Sequence, residues 1–68
     1  MNDDIFKIGD RVIVTATLTG LGEDMPGTVT DTEMWQGMQL VTITYDRTLP
    51  DGRNGIVAYS YQQIYLLK

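Results

Sequence analysis

The chain has 68 residues, nine acidic side chains against five basic ones and a formal net charge of −4, and it contains neither cysteine nor histidine. That composition excludes disulfides, thiolate nucleophiles, Cys/His zinc sites and imidazole acid–base catalysis together. A chain this short buries only about 60% of its unfolded surface, so one domain over residues 1–68 is expected. No run approaches the roughly 18 apolar residues of a membrane span. The start, "MNDDIFK", is acidic where a secretory leader is basic and then apolar, so a cytoplasmic protein without a membrane partner is the expectation.

Apolar residues recur at every second position through most of the sequence, and no window holds the i, i+3, i+4, i+7 spacing of an amphipathic helix. The expected fold class is all-β. Gly9-Asp10 turns into a first strand, "DRVIVTATL", with Val12, Val14, Ala16 and Leu18 on one face. Residues 19–27, "TGLGEDMPG", read as a loop, because three glycines and a proline stand among two acids. A second strand begins at Thr28 and runs through "TVTDTEM" with Val29 inward. Gln36-Gly37 supplies a turn. A third strand, "QLVTITYD", alternates Val41, Ile43 and Tyr45 against Leu40, Thr42 and Thr44, and the chain's nine threonines suit such half-buried pleated surfaces. "RTLPDGRNG" carries two strong turn signals, Asp-Gly and Asn-Gly. A fourth strand, "IVAYSY", follows, and "QQIYLLK" reads as a short turn before a brief last strand.

Five short strands do not fill two sheets of ordinary length, and closure hides their edges, so a small five-stranded barrel is expected. Its expected core is Val12, Val14, Val29, Val41, Ile43, Val57, Tyr59, Ile64 and Leu66, with Tyr45 also buried.

The strings "KIGDRVIV", "PGTV", "VTITYD" and "QQIYLL", in that order over residues 7–67, resemble the SH3-like small barrel. Thr32-Glu33-Met34-Trp35-Gln36-Gly37 after Gly27-Thr28-Val29 resembles the variable (alpha) chain of ferredoxin–thioredoxin reductase. Length and strand order are similar to the small peripheral subunit of photosystem I. Both resemblances imply a non-catalytic accessory chain packed on a redox partner. The Gly-Asp-x-Val and Gly-x-Val pattern is also similar to KOW-type ribosomal and transcription-factor barrels, whose use on RNA rests on basic loops. Here the loop "GLGEDMPG" is acidic, which leaves the protein-docking version. Plasmid type II dihydrofolate reductase shares Gly-Asp-Arg-Val, Trp-Gln-Gly and Gln-Ile-Tyr in a different register, and that resemblance implies an oligomeric reductase with a pore built from several copies.

The residues themselves offer little chemistry. Ser60 is the only serine and has no histidine to activate it. Asp31 and Glu33 share one strand face about 7 Å apart, a spacing glycosidases use, but without a cleft they read as solvated acids. "DRTLPDGRNG" lacks the acidic spacing of a calcium loop. No catalytic residue, metal ligand or cofactor is therefore assigned.

Surface recognition remains. Met34, Trp35, Gln36 and Met38 at the hairpin, with Tyr61 and Tyr65 on the closing segment, are the candidate partner-binding residues. Met25 joins them if the acidic loop folds toward Trp35. Trp35 itself is either an exposed anchor or a lid over the open end of the barrel. The expected function is a non-catalytic protein-binding module or accessory subunit whose aromatic and methionine patch, rimmed by acids, docks on a basic protein surface or on a second copy of the chain. Nucleic acid is disfavoured by the charge. A small acidic inhibitor that mimics nucleic acid, of phage or mobile-element origin, is the alternative of a different class.

Overall fold

The computed structural model describes residues 5–67. Five antiparallel strands form one sheet: β1 (Arg11–Val14), β2 (Met25–Trp35), β3 (Met38–Tyr45), β4 (Gly55–Tyr59) and β5 (Ile64–Leu66), in the order β4-β3-β2-β1-β5. A single helical turn, α1 (Ala16–Thr19), lies between β1 and β2.

β2 organises the molecule. Its 11 residues at about 3.3 Å each nearly match the longest dimension of 39 Å. The first part of β2 is shared, pairing Thr28 with Arg11 on one side and with Thr44 on the other. Gly27 stands there because a Cβ would meet the Thr44 carbonyl oxygen at 2.7 Å. At Thr30 the register with β3 slips by a residue, a bulge that bends the strand. Beyond it, Asp31–Trp35 pairs only with β3 among the described residues.

The sheet is strongly curled. Its edge strands β4 and β5 are joined through a turn in which Gln62 N–H donates to the Tyr59 carbonyl at 3.0 Å, and Gln63 accepts from Thr15 N–H at the end of β1 at 2.9 Å. No ladder joins β4 to β5 among the described residues, so the sheet is not closed.

The inner face carries the expected Val12, Val14, Val29, Val41, Ile43, Tyr45 and Ile64, and three residues that alternation alone does not place: Phe6, Met25 and Leu49. Gln39 is buried with them. Its Oε1 accepts from Ile5 and Phe6 N–H at 3.1 and 3.2 Å and its Nε2 donates to the Phe6 carbonyl at 2.7 Å, which straps the N-terminal arm across the inner face.

Four expectations are corrected. The first strand stops at Val14 rather than continuing to Leu18, because Asp24 Oδ1 accepts from Ala16 N–H at 2.7 Å and Gly20, at φ 77°, ends the turn that follows. β2 starts at Met25, not Thr28, so Met25 is core instead of loop. In β4 the phase is the reverse of that expected: Ile56 and Ala58 oppose Ile43 and Val41 inside, while Val57 and Tyr59 oppose Thr42 and Leu40 outside. Leu66 is exposed at the end of the β5 edge.

Candidate functional site

The hairpin between β2 and β3 has a two-residue turn in which Gln36 and Gly37 both adopt positive φ, 52° and 81°. That is a type I′ turn, whose twist matches the flanking strands. It sets Trp35 opposite Met38, and directly opposed residues project from the same face of a sheet. Since Val41, Ile43 and Tyr45 point inward, the outer face is fixed. It holds Asp31, Glu33 and Trp35 on β2, Thr42, Leu40 and Met38 on β3, and Val57 and Tyr59 on β4.

These positions form rows across the strands: Asp31–Thr42–Val57, then Glu33–Leu40–Tyr59, then Trp35–Met38. Tyr61, past the end of β4, stacks on Tyr59 with centroids 5.4 Å apart and planes 9° from parallel. Trp35 is 46% exposed and Tyr61 68%. The outcome is an apolar and aromatic field bordered on the β2 side by two carboxylates.

Those carboxylates have no hydrogen-bonding or ion-pair partner among the described residues, unlike the acids near the arginines. Arg11 grips Asp46 with two hydrogen bonds of 2.7 and 2.6 Å and also donates to Thr28 Oγ1. The bond from Arg11 holds the Asp46 carboxyl below the usual range and raises the guanidinium. Arg47 pairs with Glu23 at 2.9 Å. Arg53 pairs with Asp51 at 2.6 Å and reaches the Thr19 carbonyl at 3.0 Å, closing the loop after β3 onto α1. The Arg53 backbone N–H, then its side chain, lowers the Asp51 carboxyl. Every arginine is thus answered by an acid; Asp10 and Asp24 accept only backbone N–H bonds, and Asp31 and Glu33 have neither kind of partner among the described residues.

Of the six candidate residues, Trp35, Met38 and Tyr61 share this face, and Gln36 forms its end as the turn residue. Met34 does not join them: it alternates to the inner side, opposite Gln39. Tyr65 sits on the β5 edge opposite Ile13. Met25 is buried far from the hairpin end of β2, so it lends nothing to Trp35. Trp35 faces outward, while Phe6 and Leu49 cover the core, so it is not the lid. Leu40, Val57 and Tyr59 were missed. The two-residue turn held the signal for Leu40, since it fixes Trp35 against Met38 and therefore Glu33 against Leu40.

The described residues enclose no pocket and gather no group of three or more acids placed to hold a metal ion. No helix among them is long and apolar enough to cross a membrane. Comparison with known proteins finds no matching family model, curated protein or solved structure.

Proposed function

We propose that the chain is a small SH3-like barrel acting as a non-catalytic protein-binding module or accessory subunit, and that it docks through the outer face of its β2–β3–β4 ribbon. One observation carries this: Trp35, Met38, Leu40, Val57, Tyr59 and Tyr61 are brought to one open face beside Asp31 and Glu33. The antiparallel five-strand sheet, in which β5 returns to pair with β1 and a single turn joins the two edge strands, supports the barrel. Aromatic side chains and methionine are the types enriched in interface centres, and they anchor binding when a partner dries them. An open face without a pocket suits a protein partner better than a small molecule, which needs concavity.

Charge selects the partner. Two unanswered carboxylates on a chain of net charge −4 favour a basic surface and disfavour a second copy, whose own acids would meet them. Three strands at about 4.8 Å and side-chain steps of about 6.8 Å give a footprint of a few hundred Å². A standard interface takes about 800 Å² per partner, so this face is the anchoring centre of a larger contact.

The test is capture with the tagged chain and with a Trp35→Ala/Tyr61→Ala variant. Both side chains are largely exposed, so the variant keeps its thermal melt and loses the proteins that the parent recovers. Recovery of the same proteins by the variant, with its fold intact, would refute the docking face.

A further inference from the structure

A two-residue hairpin leaves its flanking pair exchanging both backbone bonds, so Trp35 and Met38 bond each other. By alternation Glu33 with Leu40 and Asp31 with Thr42 do the same, whereas Thr32 and Met34 turn their N–H and C=O groups away from β3. Gln39, opposite Met34, behaves accordingly: its carbonyl faces β4 and accepts from Ser60 N–H at 2.9 Å. On the near side of the bulge, Val29 also turns from β3 and bonds Asp10 C=O and Gly9 N–H at 2.9 and 2.8 Å. Past the bulge no described strand flanks β2 on that side. Nothing bonds the outward groups of Thr32 and Met34 among the described residues, and among those residues the β2 edge from Asp31 to Trp35 is open.

An open edge is a template for another strand. The residues an added strand sets opposite Asp31, Glu33 and Trp35 share their outer face, where opposite charges attract and like charges repel. A second copy pairing antiparallel about Glu33 would set Glu33 against Glu33. The chain's own Asp3 and Asp4 carry the same wrong sign.

Resting on the docking function above, we propose that this edge takes an extended basic segment of a partner protein as an additional strand. Lysine or arginine lies opposite Asp31 and Glu33, and an apolar residue opposite Trp35.

The probe is an acetylated, amidated nonapeptide of alternating lysine and threonine with one terminal valine, titrated into the ¹⁵N-labelled full chain. Controls replace lysine by glutamate, or N-methylate alternate peptide amides in each of the two phases. The lysine peptide is expected to shift the Thr32 and Met34 amides and slow their exchange, and to bind about tenfold more tightly than the glutamate peptide. One phase of N-methylation abolishes binding and the other spares it. An Asp31→Asn/Glu33→Gln variant loses the preference for lysine.

If the lysine peptide binds while the Thr32 and Met34 amides stay unmoved and neither methylation matters, it lies flat on the outer face: edge addition is overturned and the docking face survives. If no peptide binds, edge addition is overturned too, and the Trp35→Ala/Tyr61→Ala capture judges the docking face independently.

Discussion

The proposed docking face requires that β4 present Val57 and Tyr59 outward and Ala58 inward, and paired substitutions test that phase. Val57 is 62% exposed and Ala58 4%. Val57→Thr trades a largely solvated methyl for a hydroxyl that water satisfies, so it costs less than about 0.5 kcal/mol. Ala58→Val forces two methyl groups against Val41, its directly opposed and fully buried neighbour, and overpacking of that kind costs about 1–3 kcal/mol. With the opposite phase the order inverts: Val57→Thr would bury an unpaired hydroxyl at about 1–3 kcal/mol, while Ala58→Val would gain strand preference at no cost. A domain of 68 residues has roughly 3–10 kcal/mol in hand, and a urea slope near 1 kcal/mol/M turns these differences into midpoint shifts of molar size. Urea unfolding followed by circular dichroism reads them without relying on Trp35. A Val57→Thr midpoint that falls further than that of Ala58→Val would refute the outward face and the docking surface with it.

Tyr45 is buried with a hydroxyl that makes no hydrogen bond among the described residues, and burial raises its pKa by disfavouring the phenolate. Tyr45→Phe is therefore expected to leave stability unchanged or raise it by up to about 1 kcal/mol, and a clear loss in urea unfolding would reveal a partner for the hydroxyl. Gln39→Leu removes three hydrogen bonds to Ile5 and Phe6 and leaves buried backbone groups unmatched, a cost of about 2–4 kcal/mol, with faster proteolysis around Ile8 as an independent readout. Asp46 and Asp51 have folded-state carboxyls lowered from 3.8, so each stabilises the fold while ionised. Their contribution is complete above about pH 4 and is lost as pH falls through the depressed folded values. Asp46→Asn should flatten part of the fall in urea midpoint below pH 4, and an unchanged acid limb would contradict the Arg11 pair as its source.

Much of the fold was legible because one parity is decisive in several strands. In "QLVTITYD" the odd positions are Val41, Ile43 and Tyr45 and the even ones include Thr42 and Thr44, so alternation admits only one inner face. "IVAYSY" offers no such contrast: Ile56, Val57, Ala58 and Tyr59 are apolar at both parities, and choosing the bulkier pair as core was wrong. The pairing with β3 decides instead, seating small Ala58 against Val41. The other misses share a cause, since Phe6, Met25 and Leu49 are buried from an acidic arm, an acidic loop and a turn-rich loop, where local composition is polar and only the third dimension brings the side chain inward. Gln39 was invisible for a similar reason, because a buried glutamine is explained by the backbone it straps, which lies 33 residues away. The candidate site was half legible. Trp35 and Met38 follow from their neighbourhood and the turn, but a cluster read as adjacent in sequence ignored that Met34 and Trp35 must point to opposite faces.

The arginines bear on the charge around the proposed docking face. Exposed ion pairs such as Arg11–Asp46, Arg47–Glu23 and Arg53–Asp51 add little stability, because water screens them and ordering two side chains costs entropy. Their larger effect is on where charge is left over. Arg47 and Arg53 neutralise acids in the loops that follow β3 and precede β2, and Arg11 neutralises Asp46 at the same end of the β2–β3 ribbon, whereas Asp31 and Glu33, toward the hairpin, stay uncompensated. Part of the residual negative charge therefore stands beside Trp35, Leu40 and Tyr59. Under the proposed docking function, a basic partner approaching by diffusion would be drawn to the end of the ribbon where Trp35, Tyr59 and Tyr61 stand. Long-range charge chooses the approach, and the apolar field beside it then holds what has arrived.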